Sequence, residues 1–491
     1  MIQKLIKSIL LVLLTNSLFA QHTFEEIISG PENQIINSVI EDDDGNFIMV
    51  GRIHNVDTQI PAGYIIKIDS YGKILLEKII MNNDTTSSLF LNIHFYGDYY
   101  YLLGTTTELS SNEIYKLWFV KLNMDLEVIS QKELGLPNDK WFSYFNSIID
   151  SDTNIVLAGY TTKWNGNNSI HNDPAFYKLN IDGDSITSFF MTEPPQRSRL
   201  AFDIIENIDN TMYYAFVSRF ENSSSGQKLI LNRNLDSISI QPIPIGIFDF
   251  YSPVYITDST LLLCGHGSPY QSELYSLNAI TINDQTELLD YNHFEIGDDM
   301  REQPAMYNGV SKNVGNIYIG GTSNFDYSNP FWSTKDSWFH LIKVNPDISP
   351  IWEYWYGGDT YYQLYSILAT NDGGCLLVGN RYDDAIQFME RDIYIVKVNG
   401  DGIITWEQEI TVDNQITSVF PNPGTNLLNL KTNNEVLDFE LININGQTII
   451  KQIVDNNYQT INTELLKSGI YFYRLINKQN NTIETGKWIK K

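Results

Sequence analysis

Cysteine is almost missing from this sequence: Cys264 and Cys375 are the only two in 491 residues. Two thiols exclude a disulfide-stapled scaffold and a zinc site built from four cysteines. Basic side chains are also few, 32 Lys and Arg against 59 Asp and Glu, for a net charge of −27. That imbalance excludes nucleic acid as a partner, because phosphate recognition needs a basic footprint. It favours solubility, and divalent cations over anionic surfaces. Beyond the N-terminus no apolar run is long enough to span a bilayer. The seven histidines are scattered and form no H-E-x-x-H, and Gly265-His266-Gly267-Ser268 is not a G-x-S-x-G elbow. Asp42-Asp43-Asp44-Gly45 lacks the alternating ligands and distal Glu of an EF-hand, so it reads as a hairpin turn. No metal or cofactor is expected.

What is present points to β structure. Apolar residues make up 43% of the chain, with 30 Tyr, 24 Phe and 31 Gly. Lys4 and Lys7, the apolar run Ile9 to Leu14, and Leu18-Phe19-Ala20 have the three-part plan of a secretory signal peptide, expected over residues 1–20.

The middle of the chain repeats. An apolar strand ending at Gly recurs at Phe47 to Gly51, Tyr100 to Gly104, Ile155 to Gly159, Leu261 to Gly265, Asn316 to Gly320 and Cys375 to Gly379, and Met212 to Ser218 fills the gap without Gly. A second strand follows with one central lysine, at Lys67, Lys121, Lys178, Lys343 and Lys397; Leu229 to Asn232 keeps the pattern without it, and the fifth copy is degenerate. Weaker strands flank these two, so each unit holds four short antiparallel strands. A pure β repeat of this length exceeds one core of about 250–300 residues. Radial stacking buries both faces of every sheet. The expected fold is therefore all-β: a seven-bladed β-propeller over residues 21–412, then a small β-sandwich over 413–491. Two segments compete to close the ring, His22 to Ile28 and Ile404 to Ile410.

Turns between the first and second strands, and between the third and fourth, are tight Asx-Gly hairpins. They share one face of the propeller. The opposite face carries the long loops and is the expected ligand face. Its candidate residues are Trp141, Trp164, Asp298, Asp299, Arg301, Tyr327, Trp332, Tyr361 and Arg381. Aromatics with carboxylates there suit a sugar or a protein contact.

After Ile410 the repeat stops. The tail from Thr411 carries +1 and the leader +2, which leaves −30 on the region between them and marks a domain boundary. Val419-Phe420-Pro421-Asn422-Pro423, Asn445-Gly446, Leu466 to Phe472 with Gly469 and Tyr471, and the ending Gly486-Lys487-Trp488-Ile489-Lys490-Lys491 occur in order. This tail resembles the type A C-terminal sorting domain of the type IX secretion system. The resemblance implies a Bacteroidetes origin, Sec export to the periplasm, and passage across the outer membrane. It also implies removal of the domain by a sortase-like protease, with release or attachment to surface lipopolysaccharide. The sorting residues it implies are Pro421, Asn422, Pro423, Gly446, Gly469, Tyr471, Lys487, Lys490 and Lys491. Tyr356-Gly357-Gly358-Asp359, Ser366-Ile367 and Asn371-Asp372-Gly373-Gly374 are similar to propeller repeats found in such secreted cargo. Two functions stay open: a monomeric binding or adhesion propeller with a glycan or protein ligand, and a polysaccharide-active enzyme on the long-loop face. Carboxylates converging on the axial opening, about 5–10 Å apart, would favour the enzyme.

Overall fold

A computed structural model describes residues 21–30, 32–54, 60–83, 86–108, 115–135, 141–165, 169–191, 198–220, 225–244, 247–267, 276–294, 301–313, 315–386, 390–404, 418–431, 437–443, 446–455, 458–477 and 482–491. The expected signal peptide lies outside them. The chain divides into two compact units, Met1–Trp406 and Glu407–Lys491.

The first unit is a seven-bladed propeller. Blade 1 pairs Gln34–Glu41, Phe47–His54, Pro61–Ile68 and Ile74–Ile80 in order, and blade 2 pairs Thr86–Tyr96, Tyr99–Glu108, Tyr115–Leu122 and Val128–Leu134. Blades 3, 4 and 5 repeat this meander over Trp141–Phe190, Ser198–Pro242 and Ile247–Phe294. Blade 6 splits its first strand into Glu302–Pro304 and Val310–Asn313, both paired to Asn316–Ser323. Blade 7 draws Tyr361–Ala369, Cys375–Tyr382 and Asp392–Val398 from one end of the unit and Phe24–Ile28 from the other.

The N-terminal segment therefore closes the ring, with Phe24 opposite Lys397 and Ile28 opposite Ile393. Phe24 is buried against Phe47 of blade 1. Tyr394 donates its hydroxyl proton to Glu25 at 2.6 Å, and the Gln21 side chain bridges the Asp372 carbonyl and the Gly400 N–H. Ile404, the start of the rival segment, packs beside blade 7; the rest of that segment lies outside the described residues.

Each seam between neighbouring blades has its own apolar cluster, including the seam joining blade 7 to blade 1. Inner strands are buried on both faces, as in Cys375–Tyr382, whereas outer strands such as Ile74–Ile80 alternate toward solvent. Cys264 and Cys375 are buried free thiols within these clusters.

The repeat lysines answer acidic turn residues. Lys67 meets Asp42 at 2.8 Å, Lys178 meets Asp150 at 3.0 Å, and Lys397 meets Asp372 at 2.9 Å, each within its own blade. Asp42 accepts the N–H groups of Asp44 and Asn46 while Gly45 takes φ +78°, so its acidic run is a hairpin turn. Lys121 instead reaches Asp182 of the next blade at 2.9 Å. Lys228, two positions earlier in the register than its counterparts, reaches the Asp284 carbonyl of blade 5 at 2.7 Å.

The second unit stacks a three-stranded sheet on a four-stranded one. The first sheet has Ser418–Phe420, Leu427–Lys431 and Tyr458–Asn462 in order; the second has Thr448–Val454, Leu437–Asn443, Gly469–Asn477 and Thr482–Lys490. Leu428, Leu430, Phe439, Leu441 and Trp488 fill the core between them. The strand Tyr458–Asn462 had no signal in the sequence: only one of its five residues, Ile461, is buried.

Candidate functional site

One extra residue in the innermost strand builds the propeller's axial wall. The register slips between Ile36 and Ser38, Phe90 and Asn92, Tyr144 and Asn146, Ala201 and Asp203, and Leu364 and Ser366. Such a bulge re-aims a side chain. Asn37, Leu91, Phe145 and Tyr365, four of the residues inserted there, line a cavity of about 800 Å³. In blade 6 the whole excursion between the two half-strands serves this purpose and presents Met306 and Tyr307.

The repeat glycine makes the bulge possible. A Cβ on Gly51 would be driven into the Ile35 carbonyl oxygen, on Gly104 into that of Leu89, on Gly159 into that of Ser143, and on Gly379 into that of Gln363. Blade 4 inverts the arrangement: Val217 occupies the glycine position and Ala201 faces it, where the other blades place Ile36, Phe90, Tyr144 or Leu364.

Polar side chains beside the bulges lace the blades together. Asn37 Nδ2 donates to the Phe90 carbonyl at 2.6 Å, Asn92 to Asn146 Oδ1 at 3.3 Å, and Asn146 to Asp203 Oδ2 at 2.9 Å. Ser252 N–H also donates to Asp203, and its hydroxyl to the Tyr307 carbonyl. Tyr307 N–H continues to the Tyr365 carbonyl, and Asn380 Nδ2 returns to the Gln34 carbonyl of blade 1 at 2.6 Å. Burial raises the Asp203 carboxyl to about 7, against the pull of Asn146, Ser252 and Ile204.

Residues just past the repeat glycine line the cavity, namely Arg52 and His54, Thr105, and Tyr160 and Thr162, together with Phe331, Trp332 and Arg391 from blades 6 and 7. Arg391 Nε donates to Asn33 Oδ1 and its Nη1 to the Tyr365 hydroxyl, both at 3.3 Å. Its guanidinium lies 4.9 Å from the Trp332 ring centre and 5.2 Å from that of Phe331. Burial, then the charges of Arg52 and Arg391, lower the pKa of His54, which keeps its imidazole neutral at pH 7. Among the described lining residues there are two arginines and no Asp or Glu. No group of three or more His, Cys, Asp or Glu among the described residues is placed to hold a metal ion.

Of the residues singled out on the ligand face, Trp332 lines the cavity. Tyr327 and Trp332 pack on a small cluster of Phe325, Tyr361 and Tyr382 beside it, and Arg301 lies 5.8 Å from the Tyr327 ring. Arg381 pairs with Asp383 at 2.8 Å. Trp141 and Trp164 lie on strands of blade 3, with side chains outside the described set, and Asp298 and Asp299 are outside the described residues. Of the expected set, the described members are the aromatics Tyr327, Trp332 and Tyr361 and the arginines Arg301 and Arg381. Arg52, His54, Tyr365 and Arg391 escaped the sequence reading. The positions one and three past the repeat glycine were the signal that would have found the first two.

In the second unit, distant parts of the sorting motif meet. Asn422 clamps the last strand, Nδ2 donating to the Lys487 carbonyl at 2.6 Å and Oδ1 accepting from Ile489 N–H at 2.9 Å. Trp488 Nε1 donates to the Pro421 carbonyl at 2.8 Å, and the turn completed by Pro423 leads to Gly424, which exchanges backbone hydrogen bonds with Ile489 and Lys491. Lys490 Nζ bonds the Thr425 carbonyl. Gly469 faces Lys490 across the sheet, and Tyr471 faces Asn443, whose turn holds Gly446 at φ +77°. The Tyr471 hydroxyl donates to the Lys467 carbonyl at 2.9 Å.

No curated protein matches the chain in sequence. Among solved structures it is similar to the β-propeller domain of the Trilobed protease from Pyrococcus furiosus, at 11% identity and a TM-score of 0.43, covering 81% of this chain and 100% of that one. PorZ, a bacterial surface component of the type-IX secretion system of Porphyromonas gingivalis, is 8% identical with a TM-score of 0.21 over 93% of this chain and 81% of that one. A fungal alcohol oxidase of the AA5 family, solved in complex with copper, is 10% identical with a TM-score of 0.42 over 96% and 99%. At that distance none of the three bears on activity. Residues 418–491 match the family described as the secretion system C-terminal sorting domain. The propeller is therefore joined to a type IX secretion system sorting domain, a tail that implies export to the cell surface or the medium.

Proposed function

We propose that this protein is a surface-displayed or released propeller that binds its ligand in the axial cavity, without catalysis. The sorting domain at residues 418–491 carries the export half of this reading. The binding half is supported by a cavity of about 800 Å³ with polar groups set among aromatic rings, inside the range of about 300–1,000 Å³ usual for small-molecule sites. The chain passes through the periplasm by the Sec route, directed by residues 1–20. The secretion machinery and a sortase-like protease recognise the end of the sandwich where Asn422, Lys487 and Lys490 converge. The molecule acts as a monomer toward a glycan or protein ligand. Hydrolysis of polysaccharide is disfavoured because the described cavity wall offers arginines where a pair of carboxylates is needed.

Deleting Thr411 to Lys491 tests the export half. The truncated propeller is expected to accumulate in the periplasm when cells are fractionated, and an undiminished signal at the surface or in the medium would refute the reading.

A further inference from the structure

Arg391 is a buried cation in the wall of the axial cavity. It is 5% exposed, and its hydrogen-bond partners are two neutral groups, an amide oxygen and a phenol hydroxyl. Among the described residues no carboxylate lies within ion-pair distance of it. By contrast, Lys178, Lys397 and Arg381 are each answered by an Asp at 3.0 Å or less. A guanidinium does not shed its proton. A buried charge is expensive unless it is paired. In a chain with 59 acidic and 32 basic side chains, acids are the easiest partners to supply. Yet the described wall of this cavity holds none.

Around Arg391 the wall has two further characters. Aromatic faces come from Tyr160 and Trp332, and neutral hydrogen-bonding side chains from Asn37, Thr162 and Asn172. The geometry points to an acidic sugar, a hexuronic acid unit, as the ligand of the axial cavity, with its carboxylate on the Arg391 guanidinium. Fork-to-carboxylate pairing fits the planar donor set. The apolar face of a pyranose ring packs on aromatic planes. Ring hydroxyls take the amide and hydroxyl groups. This inference rests on the reading of the cavity as the binding site, and it is tested on purified protein, apart from export.

The test is calorimetric titration of residues 21–491 with D-glucuronate, D-galacturonate, a galacturonate trisaccharide, D-glucose and inorganic phosphate. The expected result is binding of at least one uronate probe at least tenfold tighter than glucose and tighter than phosphate. A trisaccharide that outbinds both monosaccharides assigns the site to a polysaccharide; equal affinities assign it to the free sugar acid. Arg391→Gln is expected to lose at least tenfold in affinity while melting as the wild type does. Because that variant could disturb the wall, a second readout uses the unmodified protein: the His54 imidazole should titrate at higher pH once a uronate is bound, as its NMR signals report. The proposal is overturned if glucose or phosphate binds as well as the uronates. It is equally overturned if a folded Arg391→Gln binds normally, or if His54 does not move.

Discussion

At the residue scale, the repeat glycine and the residue facing it behave as one choice. Gly159 sits against Tyr144 and the Ser143 carbonyl, so a methyl group there has nowhere to go except into backbone. Gly159→Ala is expected to destabilise the propeller by about 2 kcal/mol, within the usual range for a steric core change, as chemical denaturation would show; a variant as stable as wild type would disprove the packing argument. The glycine itself was visible in the sequence as the end of a strand marker. Its reason was not, because a bulge depends on which strand lies opposite. A second residue-scale effect concerns His94, 2.8 Å from Ser147 Oγ. Burial lowers its pKa to about 4, against an ordinary value of about 6.5. The unfolded chain therefore takes up this proton first as the solution is acidified. Stability from this group is complete above about pH 6.5 and is lost as pH falls toward about 4, a loss of about 3 kcal/mol. His94→Gln should flatten the acid side of the stability profile measured by urea unfolding between pH 7.5 and 5. An unchanged slope would remove His94 from the account.

At the scale of elements, the sequence pattern carried most of the architecture. Strand alternation, Asx-Gly turns and the recurring lysines placed the blades. Closure was not legible, since Phe24–Ile28 and the segment from Ile404 read alike until their partners are known. The cavity wall was equally hidden: Arg52 follows a glycine in blade 1 and Arg391 precedes a strand in blade 7, and only ring closure brings those blades together. Phe24 is the apolar anchor of that closure, buried beside Phe47, Ile66 and Leu376. Phe24→Ala is expected to cost about 3 kcal/mol, the lower end for emptying a buried phenylalanine site. Loss of the His22 to Ile28 segment altogether should bare the Asp392–Val398 edge and promote association, which light scattering would detect. A monomeric, undiminished Tm in the deleted protein would contradict the pairing.

At the scale of the whole molecule, two units with separate cores make separate cooperative transitions the expectation. Calorimetry of residues 21–491 should resolve two endotherms, and truncation after Trp406 should abolish only one of them. A single transition that vanishes on truncation would show that the two units fold as one. Charge is also divided by location. The overall excess of acid argues for a surface that repels anions, whereas the described wall of the axial cavity displays arginine. Net charge is silent on the cavity, because a summed charge has no position.

The latch strand also fixes an order of events. Phe24–Ile28 is the earliest part of the ring to be synthesised, and its partner Asp392–Val398 the last. Until that partner emerges, the latch is an unclaimed sheet edge in a chain with six other finished blades to mispair with. Glu25 and Glu26, side by side in its centre, give it a charged guard during the wait, and the final blade, through Tyr394, offers Glu25 a hydroxyl in return.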